Sequence, residues 1–71
     1  MARDICYRIG RRIVALRHRQ GFTQEELAEQ AGVSYKNIQM LEGKKPNKAS
    51  VVVLEKIAKA FQMPLWKLLK F

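Results

Sequence analysis

The chain has 71 residues, 48% of them hydrophobic, with a formal net charge of +8 and a single cysteine. This length supports one small core, the apolar content excludes a disordered composition, and one thiol excludes an intramolecular disulfide or a zinc framework of repeated Cys and His. The excess of cations favours a polyanionic partner, either nucleic acid or an anionic membrane surface, over a merely basic exterior.

The first helix starts after Asp4, a good N-cap, and runs to about Gln20, where Gly21 supplies the left-handed residue that ends it. Ile5, Ile9, Ile13 and Leu16 form its inward stripe. Its arginines at 8, 11, 12, 17 and 19 follow Arg3, against Asp4 as the one acid in residues 1–20. Arg8, Arg11, Arg12 and Arg19 read as solvated surface. Cys6 and His18 lie too far apart on one helix to share a ligand and read as a packing residue and a solvent-facing one.

Thr23 opens a second helix, its hydroxyl capping the first turn while Glu26 reaches back, with Phe22 and Leu27 placed as a hydrophobic staple. Leu27, Ala28 and Ala31 face inward before Gly32 stops it. The third helix repeats the pattern: Ser34 caps it, Val33 and Ile38 form the staple, and Gly43 closes it after Leu41 and Glu42. A loop, Lys44-Lys45-Pro46-Asn47-Lys48, leads to a fourth helix capped by Ser50, with Leu54, Ile57, Ala58 and Phe61 at helical spacing. The β-branched run Val51-Val52-Val53 precedes those positions without breaking their period. Pro64 is tolerated in a first turn, so Leu65 to about Lys70 forms a last helix with Leu65, Leu68 and Leu69 on one side. With no long period-two stretch, the expectation is an all-α fold of five helices in a single domain, 1–71.

The most specific pattern is residues 24–43, QEELAEQAGVSYKNIQMLEG, in which a short turn containing Gly32 joins two helices that cross steeply. Ala28 is small where backbones approach, Gly32 accepts a positive φ, and Leu27, Ala31, Val33, Ile38 and Leu41 supply a shared apolar seam. Together with Gly21-Phe22-Thr23-Gln24-Glu25-Glu26-Leu27-Ala28 and Leu54-Glu55-Lys56-Ile57-Ala58-Lys59-Ala60-Phe61, this segment resembles the lambda-repressor/Cro-like helix-turn-helix proteins, the XRE family, over roughly residues 8–70. The resemblance implies a compact five-helix lambda-repressor-like domain that lays the helix after Ser34 in the major groove of double-stranded DNA.

By that resemblance, Tyr35, Lys36, Gln39 and Met40 lie near base edges. Lys36 would donate to guanine, Gln39 would pair with adenine, and Tyr35 or Met40 would meet a thymine methyl. Met40 has an alternative place in the core, and Tyr35 one against the start of its own helix. Relatives often carry glutamine where this chain has Tyr, Lys and Met, so no operator sequence carries over. Gln24 matches the family residue that grips a phosphate at a helix N-terminus. Ser34 divides between capping and phosphate, and Lys44 and Lys45, with Lys48 behind them, follow the DNA backbone. Arg17 and Glu42 match a pair that links the first helix to the end of the third in some relatives, and Arg17 also reaches phosphate.

The implied function is a sequence-specific DNA-binding transcriptional regulator, a cytoplasmic repressor acting as a homodimer on a palindromic site, with no cofactor or metal. Trp66, Leu69 and Phe71 are candidate dimer residues, although Trp66 could instead close the bottom of the core. No effector-sensing domain is expected, and restriction-modification controllers and phage or mobile-element repressors are similar in size and pattern. The alternative is an antitoxin-like module that binds a cognate protein partner, with autoregulatory DNA binding. A basic amphipathic membrane binder is a more distant rival: no apolar run approaches the roughly 18 residues of a membrane span, and the arginine-rich start lacks the apolar stretch of a secretory signal. Without a nucleophile–base pair, paired carboxylates or a phosphate-cradling loop, no enzyme is expected.

Overall fold

The computed structural model describes residues 5–43 and 50–70. Five helices follow in order: α1 (Ile5–Gln20), α2 (Gln24–Ala31), α3 (Tyr35–Leu41), α4 (Val51–Ala60) and α5 (Leu65–Leu68). No strand occurs among the described residues. Each helix sends one side chain, Ile13, Leu27, Ile38, Ile57 or Leu68, to complete burial, so the core is where all five meet. Around this centre α2 packs on both α3 and α4, while α1 packs on α3 and α5.

Helix ends follow the local chemistry of the sequence. Gly21 takes φ +77 and the Phe22 N–H donates to the Arg17 carbonyl at 2.9 Å, which closes α1. Thr23 Oγ1 accepts from the Glu26 N–H at 3.0 Å while Glu26 Oε1 accepts from the Thr23 N–H at 2.9 Å, so the reciprocal cap of α2 is complete. Ser50 Oγ accepts from the N–H groups of Val52 and Val53 at 3.1 and 3.4 Å, holding the valine run in a helical first turn. Phe22, half-buried against the core, also stacks at a tilt on Phe61, with ring centroids 6.2 Å apart.

Several expectations are corrected. Ile5, expected in the inward stripe of α1, is 54% exposed, because among the described residues no element covers the turn before Ile9. The last helix ends at Leu68 rather than near Lys70, and a single turn can aim only Leu68 fully inward; Leu65 is half-buried and Leu69 is 37% exposed. The start of α5 at Leu65 is as expected, with Pro64 as its N-cap. Glu42, in a right-handed conformation, is the residue that caps α3, so Gly43 is not needed as a left-handed stop. The Asp4 cap and the loop 44–48 lie outside the described residues.

α1 makes two further kinds of contact, neither of them expected. Gly10 is buried where α1 meets the end of α3: a Cβ there would fall far inside contact distance of the Leu41 carbonyl oxygen and 3.2 Å from its carbonyl carbon. The missing methyl group is what lets the two backbones touch. Three polar side chains of α1 also reach the carbonyl ends of three other helices. Arg11 Nη2 donates to the Glu42 carbonyl at the end of α3, Arg12 Nη2 and Nε donate to the Lys67 and Leu68 carbonyls of α5 at 3.0 and 3.3 Å, and Gln20 Nε2 donates to Phe61 O at the end of α4 at 3.2 Å. The last carbonyls of a helix have no partner within it and carry its negative end, so donors, and cations above all, are favoured there. Arg11 and Arg12 are therefore helix ties rather than the idle surface cations expected.

Candidate nucleic-acid interface

The turn between α2 and α3 is three residues, Gly32-Val33-Ser34. Gly32 takes φ +72, its N–H donates to the Ala28 and Glu29 carbonyls, and the Val33 N–H donates to Ala28 O at 3.0 Å. A side chain at that φ would be strained, so the sharp reversal rests on glycine. Val33 then packs against the core, and Ser34 Oγ accepts from the Asn37 N–H at 3.0 Å to begin α3. Entry to α3 is thus fixed by an apolar contact before the cap and a hydrogen bond after it.

α3 is two turns long and faces inward through Ile38 and Leu41 alone. At about 100° per residue, Lys36 falls opposite the midpoint of those two, with Gln39 and Met40 roughly 50° to either side and Tyr35 and Asn37 at the margins. All five are exposed, Tyr35 to 43% and Met40 to 37%. Met40 is therefore not a core residue, and the four expected base-contact residues share one outward face. Asn37, not among the expected contacts, borders it.

The end of α3 is held by a buried polar node. Arg17 Nε and Nη2 donate to Glu42 Oε2 and Oε1 at 2.8 and 3.0 Å, Arg17 Nη1 donates to Phe22 O at 2.9 Å, and Gln24 Nε2 donates to Glu42 Oε1 at 2.8 Å. The Glu42 side chain is 4% exposed and that of Arg17 12%. Such a carboxylate is tolerable only because its oxygens are met by a two-pronged cation and an amide. The expected Arg17–Glu42 link between α1 and α3 is present, and Gln24 ties the first turn of α2 into the same node. Gln24 and Arg17, expected to hold phosphates, thus direct donors at Glu42; the Gln24 amide nitrogen keeps a second hydrogen for another acceptor.

Of the other residues expected to contact a partner, Ser34 is exposed and engaged as a cap, Trp66 on α5 is 67% exposed, and Leu69, just past the end of α5, is exposed as well. Trp66 does not close the core. Lys44, Lys45, Lys48 and Phe71 lie outside the described residues. Among the described residues no helix is long and apolar enough to cross a membrane.

A family model described as Helix-turn-helix matches residues 13–65. Among solved structures, the restriction-modification controller protein C.AhdI from Aeromonas hydrophila is similar, with a TM-score of 0.81 and 27% identity over 89% of this chain and 94% of that one. No curated protein matches.

Proposed function

Because this chain belongs to the XRE-type helix-turn-helix family of DNA-binding transcriptional regulators, we propose that it acts as a repressor that reads double-stranded DNA through α3, as a homodimer on a palindromic site. The observation that carries the reading is the division of α3: two side chains turned into the core, and Tyr35, Lys36, Gln39 and Met40 all turned out. A helix so mounted offers its outer face to a major groove, where Lys36 suits guanine and Gln39 suits adenine. We assign Gln24, Ser34, Arg17, Lys44 and Lys45 to the phosphates that set register, Gln24 through the amide hydrogen that Glu42 leaves unused. Repression needs nothing beyond occupancy of the duplex, and a similar fold serves as a restriction-modification controller.

One α3 spans only a few base pairs, and a two-fold pair of such helices one DNA turn apart doubles the reading. Val51 and Val52 at the start of α4, Trp66 on α5 and Leu69 just past its end are large apolar side chains left exposed. Of these, Trp66 leaves the largest side chain to be covered, and we assign Trp66, Leu69 and Phe71 to the dimer. Selection of bound oligonucleotides from a random duplex pool tests both halves of the proposal. Enrichment of a palindrome is the expected result; a single half-site refutes the dimer, and no enrichment refutes sequence-specific reading. A chain that co-purifies with a different protein through α4 and α5, instead of pairing with itself, would favour the antitoxin-like alternative.

A further inference from the structure

We infer that Arg11 is a positioning residue for α3, fixing the angle at which its outer face meets a duplex, an inference that rests on α3 being the reading helix. α3 has only seven residues, and its start is fixed by Gly32 and Ser34. Its far end needs anchorage from outside, because the last carbonyls of a helix lack partners within it. The Arg17 and Gln24 side chains hold the Glu42 carboxylate, whereas Arg11 holds the Glu42 backbone carbonyl.

Arg11 follows Gly10, where the Leu41 carbonyl already rests against α1. One short stretch of α1 therefore grips two successive residues at the end of α3, by contact at Leu41 and by a charged donor at Glu42. The Tyr7 ring, 5.6 Å from the guanidinium carbon, lies one turn back and steadies the cation. A surface arginine on a DNA-binding chain would ordinarily be assigned to a phosphate; here an N–H is aimed at the protein's own backbone. The Arg11 tie joins α1 to the main chain at the end of α3, so its loss leaves the helix intact and removes one of the contacts that set its tilt, beside the Gly10 contact and the Arg17 and Gln24 bonds to the Glu42 carboxylate.

The test uses the full chain, Arg11→Met, which keeps the apolar stem, and Arg11→Lys, which keeps charge and a donor. Each is titrated, well below its melting temperature, with a duplex enriched by the wild-type chain and with a scrambled duplex of equal length. For Arg11→Met we expect the preference for the enriched duplex to fall about tenfold, since a charged hydrogen bond to backbone is lost. The salt slope on the scrambled duplex should stay unchanged, amide exchange at Glu42 and Gly43 should quicken, and Arg11→Lys should recover most of the preference. A slope reduced by about 0.9 would mean a phosphate contact instead and would overturn the inference. So would a lowered melting temperature with preference intact, which would mark a purely structural tie. Failure of the wild-type chain to enrich any duplex would instead overturn the reading of α3, and this inference with it.

Discussion

Adding one methyl group at Gly10 sets two effects against each other. In an open helix interior, glycine to alanine stabilises by about 1 kcal/mol, because alanine loses less backbone freedom on folding. At Gly10 the new carbon would meet the carbonyl oxygen and carbon of Leu41 and lie 3.7 Å from Glu42 Cα, all of them backbone atoms that no rotamer change can move aside. Overpacking of this kind costs about 3 kcal/mol when a backbone must shift, and forcing α1 from α3 also weakens the Arg11 bond to Glu42 O. The net for Gly10→Ala is a destabilisation of about 2 kcal/mol, which for a chain of this size lowers Tm by roughly 10 °C. Urea denaturation followed by circular dichroism reads this as a lowered midpoint at unchanged slope. A midpoint unchanged or raised would refute the close approach of α1 and α3.

Arg17→Met should destabilise by about 3–5 kcal/mol, because Glu42 would be left buried with only the Gln24 amide, whereas the double variant Arg17→Met/Glu42→Met should recover most of that loss in the same urea assay. Gln62, at φ +61 after α4, occupies the left-handed region without being glycine, so Gln62→Gly should raise stability by roughly 0.5–1 kcal/mol, seen as a higher Tm; a lower Tm would contradict the strain. In duplex selection, Lys36→Ala should enrich a different sequence from the wild type, while Gln24→Ala should keep the wild-type sequence and weaken binding to every duplex alike.

Much of the fold was legible because its signals are local. The Thr23–Glu26 box, the Ser34 and Ser50 caps and the glycines at 21 and 32 each act within a few residues, and each helix boundary they imply is close to the one observed. The apolar spacing of Leu54, Ile57, Ala58 and Phe61 likewise outweighed the β-branched run before it. What escaped was decided between elements. Whether Ile5 and Leu69 are covered depends on where neighbouring helices stop, and nothing adjacent in sequence says so. Arg11, Arg12 and Gln20 look like any solvated polar residue until the carbonyl ends of α3, α5 and α4 are brought beside α1. Gly10 did carry a signal: a glycine in the middle of a helical stripe costs about 1 kcal/mol relative to alanine and so implies a packing reason.

Of the candidate interface, the outward face of α3 was legible because Ile38 and Leu41 mark its opposite side. The engagement of Gln24 with Glu42 was not, since the two lie 18 positions apart and meet only once α2 and α3 cross.

Entry of the outer face of α3 into a duplex can be read residue by residue by titrating an enriched duplex into the isotope-labelled chain and following backbone amide shifts. The largest changes should fall on residues 34–40 and on the first turn of α2 at Gln24, with α4 moving least. Changes centred on α5, or spread evenly over the arginines of α1 with α3 silent, would contradict it.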